Sequence, residues 1–329
     1  GDRISIMIWV GVIFLYYLLA TLMPIDKIIG RIYPVFAFAL IFMALALMVC
    51  LFVKWPSLPE LWDGLGNLGE SKGLLSGQPI FPCLFITIAC GAVSGFHATQ
   101  SPMMARCLTD ERLGRPVFYG AMITEGIVAL IWATVSSWFF FDGGAAEVGA
   151  TVSAAAPDVV VKVSKGWLGV LGGILAILGV VAAPITSGDT AFRSARLIVA
   201  DFLHLNQKPV ANRLMISIPL FLIAGVLLWY NIADENGFNI IWRYFGWANQ
   251  TLAVFMLWTA TAYLVKFMKG LTYLITMIPA AFMTAVCTTY ICVAKIGLGL
   301  PDSWNRAIGL ATFVVSLVVF YILYFRRRK

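Results

Sequence analysis

The chain of 329 residues is a succession of apolar stretches, each close to the length that crosses a lipid bilayer. A transmembrane helix needs about 20 predominantly apolar residues. Nine stretches approach this length, at about 4–23, 33–53, 79–97, 117–140, 167–183, 213–231, 246–265, 271–294 and 307–325. Backbone polar groups within hydrocarbon must be satisfied inside the segment, so the pattern predicts nine helices.

The composition supports the same class of protein. Hydrophobic residues make up 61% of the chain and charged residues 12%, whereas a soluble domain has about 45–50% apolar and about 25% charged residues. A single core could not bury so much apolar surface. We therefore expect an all-α, polytopic integral membrane protein with residues 1–329 forming one membrane domain, and we exclude a soluble enzyme, a disordered protein and a disulfide scaffold.

The positive charge is explained by membrane topology. The net charge is +7, but the basic residues lie in short loops and at the ends of apolar stretches, so no nucleic-acid partner is expected. With the C-terminal Arg326-Arg327-Arg328-Lys329 in the cytoplasm, nine spans place fifteen Lys and Arg on the cytoplasmic side and eight outside. This distribution agrees with the positive-inside rule and predicts a cytoplasmic C-terminus.

The sequence predicts no cofactor, no metal and no enzymatic activity. It contains two His and six Cys, and no CxxC pair is among them. No GxSxG, HExxH or Walker motif occurs. In the absence of a nucleotide site, any transport would be driven by an ion gradient or would run downhill.

The first candidate site follows the third apolar stretch, where the run from Cys90 to Pro102 combines close-packing glycines with polar side chains. Transporter sites commonly form where a spanning helix unwinds, and Pro102 is expected to end this helix. The candidate substrate-binding residues here are Ser94, Gly95, His97, Thr99, Gln100 and Ser101. The alternative is a tightly packed helix end in which His97 is inert.

The second candidate site follows the fifth stretch. We expect the helix to end at Pro184, the chain to break at Thr186-Ser187-Gly188, and Asp189 to begin an amphipathic helix. Thr186, Ser187, Asp189 and Thr190 are the candidate ligands for a cation or proton. Arg193 lies four residues after Asp189 and can pair with it or neutralise a substrate carboxylate. The alternative is a pair that only caps and solvates the helix.

Two further polar positions lie in apolar stretches. Glu125 is the only acid well inside a predicted span and is a candidate proton relay or a structural hydrogen-bonding group. Asn249 and Gln250 lie near the start of the seventh stretch. They are candidates for substrate binding, but the favoured role for two amide side chains in a membrane helix is to form hydrogen bonds between helices.

The run FITIACGAVSGFH at 85–97 closely resembles the signature of the carbon starvation protein A family, and TSGDTAFRSARLIVADF at 186–202 resembles its shorter members. The similarity implies a bacterial inner-membrane transporter with part of an inverted-repeat fold of the amino acid–polyamine–organocation type. It also implies uptake of peptides or pyruvate, coupled to protons. By that resemblance the third stretch is the unwound substrate helix and the fifth the ion-site helix.

Family members carry further helices upstream of the region that corresponds to Gly1. We therefore expect the 329-residue chain to be a C-terminal portion or a short member and, if it is a portion, not to transport alone. The competing functions are an uncoupled channel and a membrane sensor or assembly subunit that binds without transporting. The substrate, the choice between proton and sodium, and the oligomeric state stay open at this point.

Overall fold

The computed structural model describes residues 2–22, 25–74, 78–152, 156–234 and 237–324. Within these ranges the secondary structure is helical, and no strand occurs among them. The all-α class is therefore confirmed. The longer helices are α1 (Asp2–Leu22), α2 (Ile25–Lys54), α6 (Phe96–Cys107), α7 (Ala121–Phe141), α9 (Ala156–Ala176), α10 (Ala183–Phe202), α11 (Val210–Ala233), α12 (Gly237–Phe267), α13 (Leu274–Val293) and α14 (Asn305–Tyr324). Four short helices are α3 (Leu61–Gly64), α4 (Leu68–Ser71), α5 (Phe85–Ile88) and α8 (Gly144–Glu147).

Six segments of the described chain are long and apolar enough to cross a membrane. They are Tyr33–Lys54, Glu111–Phe141, Ala156–Val180, Val210–Ala233, Leu274–Val293 and Asp302–Tyr324. Each overlaps one of the nine predicted stretches, and together they define a multi-pass membrane protein. The count of nine stays a prediction, as does the inverted repeat.

The other three predicted stretches differ from these six for identifiable reasons. In α1 the apolar segment with described side chains is Ile8–Ala20. The stretch at 79–97 is divided into short helical turns and an irregular segment. The stretch at 246–265 lies within the continuous helix α12 but carries two amides and several threonines, which lower its apolar character.

The described residues form two compact units. Unit 1 comprises residues 1–60 and 123–226, and unit 2 comprises residues 61–122 and 227–329. In unit 1, α2, α7 and α9 supply the core, in which Met43, Val135, Phe139 and Val163 are fully buried. These helices belong to candidate membrane spans, and lipid is as apolar as the buried side chains, so close packing between the helices is what stabilises this core.

The core of unit 2 is built on α13. Ile86 of α5 packs with Met283, Val286 and Tyr290. Helices α12, α13 and α14 follow one another through short connections and pack as neighbours. Two hydrogen bonds link α12 to α13, from Trp247 Nε1 to the Cys287 carbonyl oxygen at 3.1 Å and from Trp258 Nε1 to Thr284 Oγ1 at 3.0 Å. They fix the register of this antiparallel pair.

Two predicted helix breaks are wrong. Pro102 lies inside α6, and the backbone is irregular upstream of it, at 92–95. A π-helical turn, Ile177–Ala182, leads directly into α10, so the helix continues through 186–188 and Asp189 does not begin it. A proline removes one backbone hydrogen bond, and a wide turn or a neighbouring helix can absorb that loss.

Candidate functional site

Asp189 and Arg193 form a buried ion pair in unit 1. Their side chains lie one turn apart on α10, with Arg193 Nη2 3.3 Å from Asp189 Oδ1. The exposed fractions are 2% for Asp189 and 7% for Arg193. Arg193 Nη2 also donates to the Ala20 carbonyl oxygen of α1 at 2.8 Å. The i,i+4 spacing thus forms the predicted pair, and its burial distinguishes it from a solvated helix cap.

Two apolar helices bring tyrosines to this carboxylate. The Tyr33 hydroxyl of α2 donates a hydrogen bond to the Asp189 side chain, and Tyr16 and Tyr17 of α1 lie close enough to Asp189 to interact with its charge. Asp189 Oδ2 is buried and, among the described residues, has no hydrogen-bond partner. This oxygen is therefore the one at which a proton or a ligand donor can be accepted.

The tyrosines were not anticipated from the sequence, because they lie far from Asp189 along the chain. The packing that positions them is specific. The Tyr17 ring lies 5.3 Å from the Phe192 ring of α10, and a side chain at Gly188 would overlap the Tyr17 hydroxyl. Glycine at 188 therefore serves close approach between α1 and α10 rather than a helix break. The only available signal was the presence of tyrosines in otherwise apolar helices.

A second arginine adds positive charge to the Asp189 cluster. Arg196 is 5% exposed and lies on α10, which is not among the six candidate spans. Burial, together with repulsion from Arg193 and Arg213, lowers the pKa of Arg196 to about 10, and attraction by Asp189 opposes that change. Arg196 therefore stays protonated at neutral pH.

The other residues predicted for the cation or proton lie in different environments. Thr190 is buried and donates from Oγ1 to the Ser187 carbonyl oxygen at 2.9 Å, whereas the Ser187 side chain is exposed. The Thr186 side chain lies outside the described part of the structure. Glu125 is exposed on α7, so its carboxyl group and that of Asp189 occupy different environments.

Unit 2 contains a helix that unwinds. The chain passes from α5 through a 3-10 turn, Ala89–Gly91, and loses regular structure at 92–95 before α6 begins. Ser94 and Gly95 are buried at this point. Ser94 Oγ donates to Asn249 Oδ1 of α12 at 3.3 Å. A Cβ atom at Gly95 would lie 2.7 Å from Leu252 Cβ and 2.9 Å from Asn249 Oδ1, so only glycine permits this contact.

The polar run that follows is half-buried. His97 Nδ1 lies 2.7 Å from the Ser94 carbonyl oxygen, so the Nδ1–H donates and Nε2 is left to face other groups. Thr99 Oγ1 donates to the Phe96 carbonyl oxygen at 3.1 Å. Gln100 and Ser101 occupy the next positions of α6, and both are half-buried.

The two amides of α12 are buried, with exposed fractions of 5% for Asn249 and 0% for Gln250. The Ser94 bond to Asn249 links two helical segments, which is the structural role that the sequence favours for this amide. The predicted substrate residues therefore divide into two groups. Arg193 lies with Asp189 in unit 1, and the other eight lie in unit 2.

These features define a class, a multi-pass helical membrane protein with polar and charged groups buried among its helices. A family described as "Carbon starvation protein CstA" matches residues 3–168 and 142–290. Because these matches cover most of the chain, the protein belongs to the carbon starvation protein CstA family, and the resemblance noted in the sequence is confirmed.

Several relatives have informative names. "Peptide transporter CstA" of Escherichia coli is 29% identical over 71% of this chain and 41% of its own length. "Pyruvate/proton symporter BtsT" of the same organism is 28% identical over 72% of this chain and 43% of its own length. An "Uncharacterized membrane protein" of Haemophilus influenzae is 46% identical over 40% of this chain and 39% of its own length.

The chain thus spans about two fifths of the length of these relatives. No solved structure shows a significant match to it.

Proposed function

We propose that this protein acts in secondary active transport, importing peptides or pyruvate-like small carboxylates across the bacterial inner membrane in symport with protons. Family membership and the multi-pass helical fold support a transport role. The names of the relatives, a peptide transporter and a pyruvate/proton symporter, support the substrate classes and favour a transporter over an enzyme. The proposed C-terminal side is the cytoplasm, on the charge distribution of the loops.

The observation that carries this proposal is the buried Asp189–Arg193 pair. A guanidinium binds a substrate carboxylate in the way that it binds Asp189. When Asp189 gains a proton, its negative charge is removed and its attraction for Arg193 is lost. Arg193 then becomes available to an anionic carboxylate, so that proton and substrate are taken up together.

The same geometry favours a proton over sodium as the coupling ion. Arg193 Nη2 lies 3.3 Å from Asp189 Oδ1, so a cation at this carboxylate meets a fixed positive charge, and Arg196 adds a second one. A proton that binds to Oδ2 neutralises the carboxylate without having to displace Arg193. Thr186, Ser187 and Thr190 are proposed to assist at this site, and Glu125 is proposed as a relay.

In unit 2 we propose that the unwound segment binds polar groups of the substrate. A peptide offers amides and a terminal ammonium, and the residues around 92–95 offer hydroxyl, imidazole and amide groups for them. The proposed residues are Ser94, Gly95, His97, Thr99, Gln100, Ser101, Asn249 and Gln250. Broken helices in transporters commonly serve this purpose.

Uptake assays test the proposed function. Radiolabelled pyruvate and a dipeptide are offered to a transporter-deficient strain that expresses the protein, with and without an uncoupler. The wild type is expected to accumulate at least one of them, and the uncoupler is expected to abolish accumulation. If the substrate only reaches equal concentrations on the two sides of the membrane, with or without the uncoupler, the result would support an uncoupled channel instead. Binding without flux would support the sensor.

Matched variants test the residues. Asp189→Asn is expected to abolish accumulation, whereas Asp201→Asn, at an exposed position of the same helix, is expected to leave it unchanged. His97→Ala is expected to reduce uptake, and His204→Ala, at an exposed histidine, serves as its control. Expression of each variant in the membrane is confirmed by immunoblot. If Asp189→Asn and His97→Ala both take up substrate at the rate of the wild type, the site assignment is contradicted.

A further inference from the structure

A small pocket of about 240 Å³ lies in unit 2, where α13 ends and the chain leads into α14. Its wall comes from the connection between these two helices and from the segment before α5. Pockets for drug-sized ligands have about 300–1,000 Å³, so this one suits a smaller molecule. Its volume equals the liquid volume of about eight water molecules, which corresponds to the size of a single amino acid.

Backbone hydrogen bonds hold the connection against the end of α13. The Leu298 amide donates to the Ile291 carbonyl oxygen at 2.9 Å. The Leu300 amide donates to the Cys292 carbonyl oxygen, also at 2.9 Å. Gly299, between the two donors, has a φ of 63°, which glycine adopts without the steric cost of a side chain. Because the chain is tied on both sides of this turn, the pocket wall has a defined shape.

The pocket lining contains two side chains of opposite charge, Lys295 and Asp302. Asp302 lies close enough to Cys83, another lining residue, for its charge to act on the thiol. Arg243 of α12 acts on the same thiol but does not line the pocket. Within the described part of the chain, neither Lys295 nor Asp302 forms an ion pair. Both charges are therefore available to a ligand.

A wall with one cation and one anion selects a ligand that carries both charges. A carboxylate alone meets Asp302 as a like charge, and an amine alone meets Lys295 in the same way. A free amino acid carries an ammonium group and a carboxylate, and hydrogen bonds between charged groups are stronger than neutral ones. The remaining wall is apolar. Three of its residues are prolines without an amide hydrogen, namely Pro79, Pro82 and Pro301.

We propose that this pocket binds a free amino acid with an apolar side chain, its ammonium group at Asp302 and its carboxylate at Lys295. The apolar side chain meets Val293 and Leu300, which also line the pocket. With the C-terminus in the cytoplasm, as predicted, this connection lies outside, where it meets amino acids of the medium. The pocket shares no residue with the Asp189 pair or with the unwound segment at 92–95, and binding here does not depend on the proposed transport function.

Equilibrium dialysis of the purified full chain in detergent, with radiolabelled valine at low ionic strength, tests this site without requiring transport. Two competitors each lack one charge of valine: isovalerate has no ammonium group, and isobutylamine has no carboxylate. Each is expected to compete at least tenfold more weakly than valine, because it loses a hydrogen bond to a charged group. Competition by either analogue at the strength of valine would overturn the proposal, as would a lack of saturable valine binding.

A dipeptide tests the size of the ligand. Valylvaline is expected to compete more weakly than valine, because its second residue exceeds the volume of the pocket. Competition by valylvaline at the strength of valine would overturn the assignment of this pocket to a single amino acid.

Variants assign the two charges of the ligand to the two residues. Asp302→Asn is expected to weaken valine binding at least tenfold without weakening isovalerate. Lys295→Gln is expected to weaken valine binding to the same extent without weakening isobutylamine. Glu111→Gln and Arg306→Gln, at exposed positions outside the pocket lining, are the matched controls and are expected to bind valine like the wild type. Circular dichroism establishes that the variants are folded. Wild-type affinity for valine in folded Asp302→Asn or folded Lys295→Gln would overturn the proposal.

Discussion

The two units bury polar groups in contrasting ways. Unit 1 holds a charged pair, Asp189 with Arg193, inside a continuous helix. Unit 2 holds a neutral contact, Ser94 with Asn249, where a helix unwinds. Burying charge is costly unless it is paired, whereas a neutral hydrogen bond costs little to bury. The charged site therefore needs rigid helices to keep its partners together, and the neutral site can tolerate irregular backbone.

This difference also explains which polar site can respond to a proton. Protonation changes the charge of Asp189 and with it the environment of Arg193. The Ser94–Asn249 bond has no charge to lose. We therefore expect a substitution to lower the stability most where it breaks a buried charged pair, and least where it breaks an exposed charged pair.

The largest effect is expected when the buried pair is broken. Arg193→Met leaves the Asp189 carboxylate without its cation and is expected to lower the free energy of unfolding by about 3–5 kcal/mol. Denaturant unfolding in detergent measures this change. The double variant Asp189→Asn/Arg193→Met is expected to recover most of the loss. Arg243→Met, at an exposed position, is the control, and an equal loss there would contradict a specific role for the pair.

The next effect concerns the close approach in unit 2. Gly95→Ala places a methyl group against Asn249 and Leu252, and overpacking of this kind costs about 1–3 kcal/mol. Gly225→Ala, where nothing lies within 4 Å of the added Cβ, is expected to be neutral or to stabilise helix α11 by up to about 1 kcal/mol. Thermal unfolding of the two variants in parallel measures the difference. Equal stability of Gly95→Ala and Gly225→Ala would contradict the close approach of Gly95 to Asn249 and Leu252.

A smaller effect is expected for the neutral hydrogen bond. A double-mutant cycle of Ser94→Ala and Asn249→Ala is expected to give a coupling energy of about 0.5–1.5 kcal/mol, the usual value for such a bond. The corresponding cycle at Asp189 and Arg193 is expected to give a larger value. If the neutral pair proved to be coupled as strongly as the charged pair, the contrast between the units would not hold.

The smallest effect is expected at the surface. Lys54 Nζ lies 2.6 Å from Glu147 Oε1, but the two side chains are 42% and 49% exposed. An exposed pair contributes about 0–1 kcal/mol. Lys54→Gln is therefore expected to lower stability by no more than about 1 kcal/mol, and 1 M salt is expected to remove most of the difference. A loss comparable to that of Arg193→Met would contradict the ranking by burial.

The features that the sequence predicted correctly are local or compositional. Nine apolar stretches indicated a helical membrane protein, and the i,i+4 spacing indicated the Asp189–Arg193 pair. The features that it missed depend on contacts between distant segments. Tyr33 donates to Asp189 from α2, and no local pattern relates two residues so far apart in the chain.

The errors at prolines have a related cause. Pro102 and Pro184 were expected to end helices, because proline removes a backbone donor and clashes with the preceding turn. In the structure both lie within helices, whereas the backbone becomes irregular at Ser94 and Gly95, which pack against Asn249. Tertiary packing therefore decides where this chain unwinds, and local propensity does not reveal it.

Substrate-driven proton movement tests the central claim most directly. The protein is reconstituted into liposomes that contain a pH-sensitive dye, and pyruvate or the transported dipeptide is added outside. We predict that the lumen acidifies with the wild type and with Asp201→Asn, and that it does not acidify with Asp189→Asn. Equal acidification with Asp189→Asn would contradict the assignment of Asp189 as the proton site.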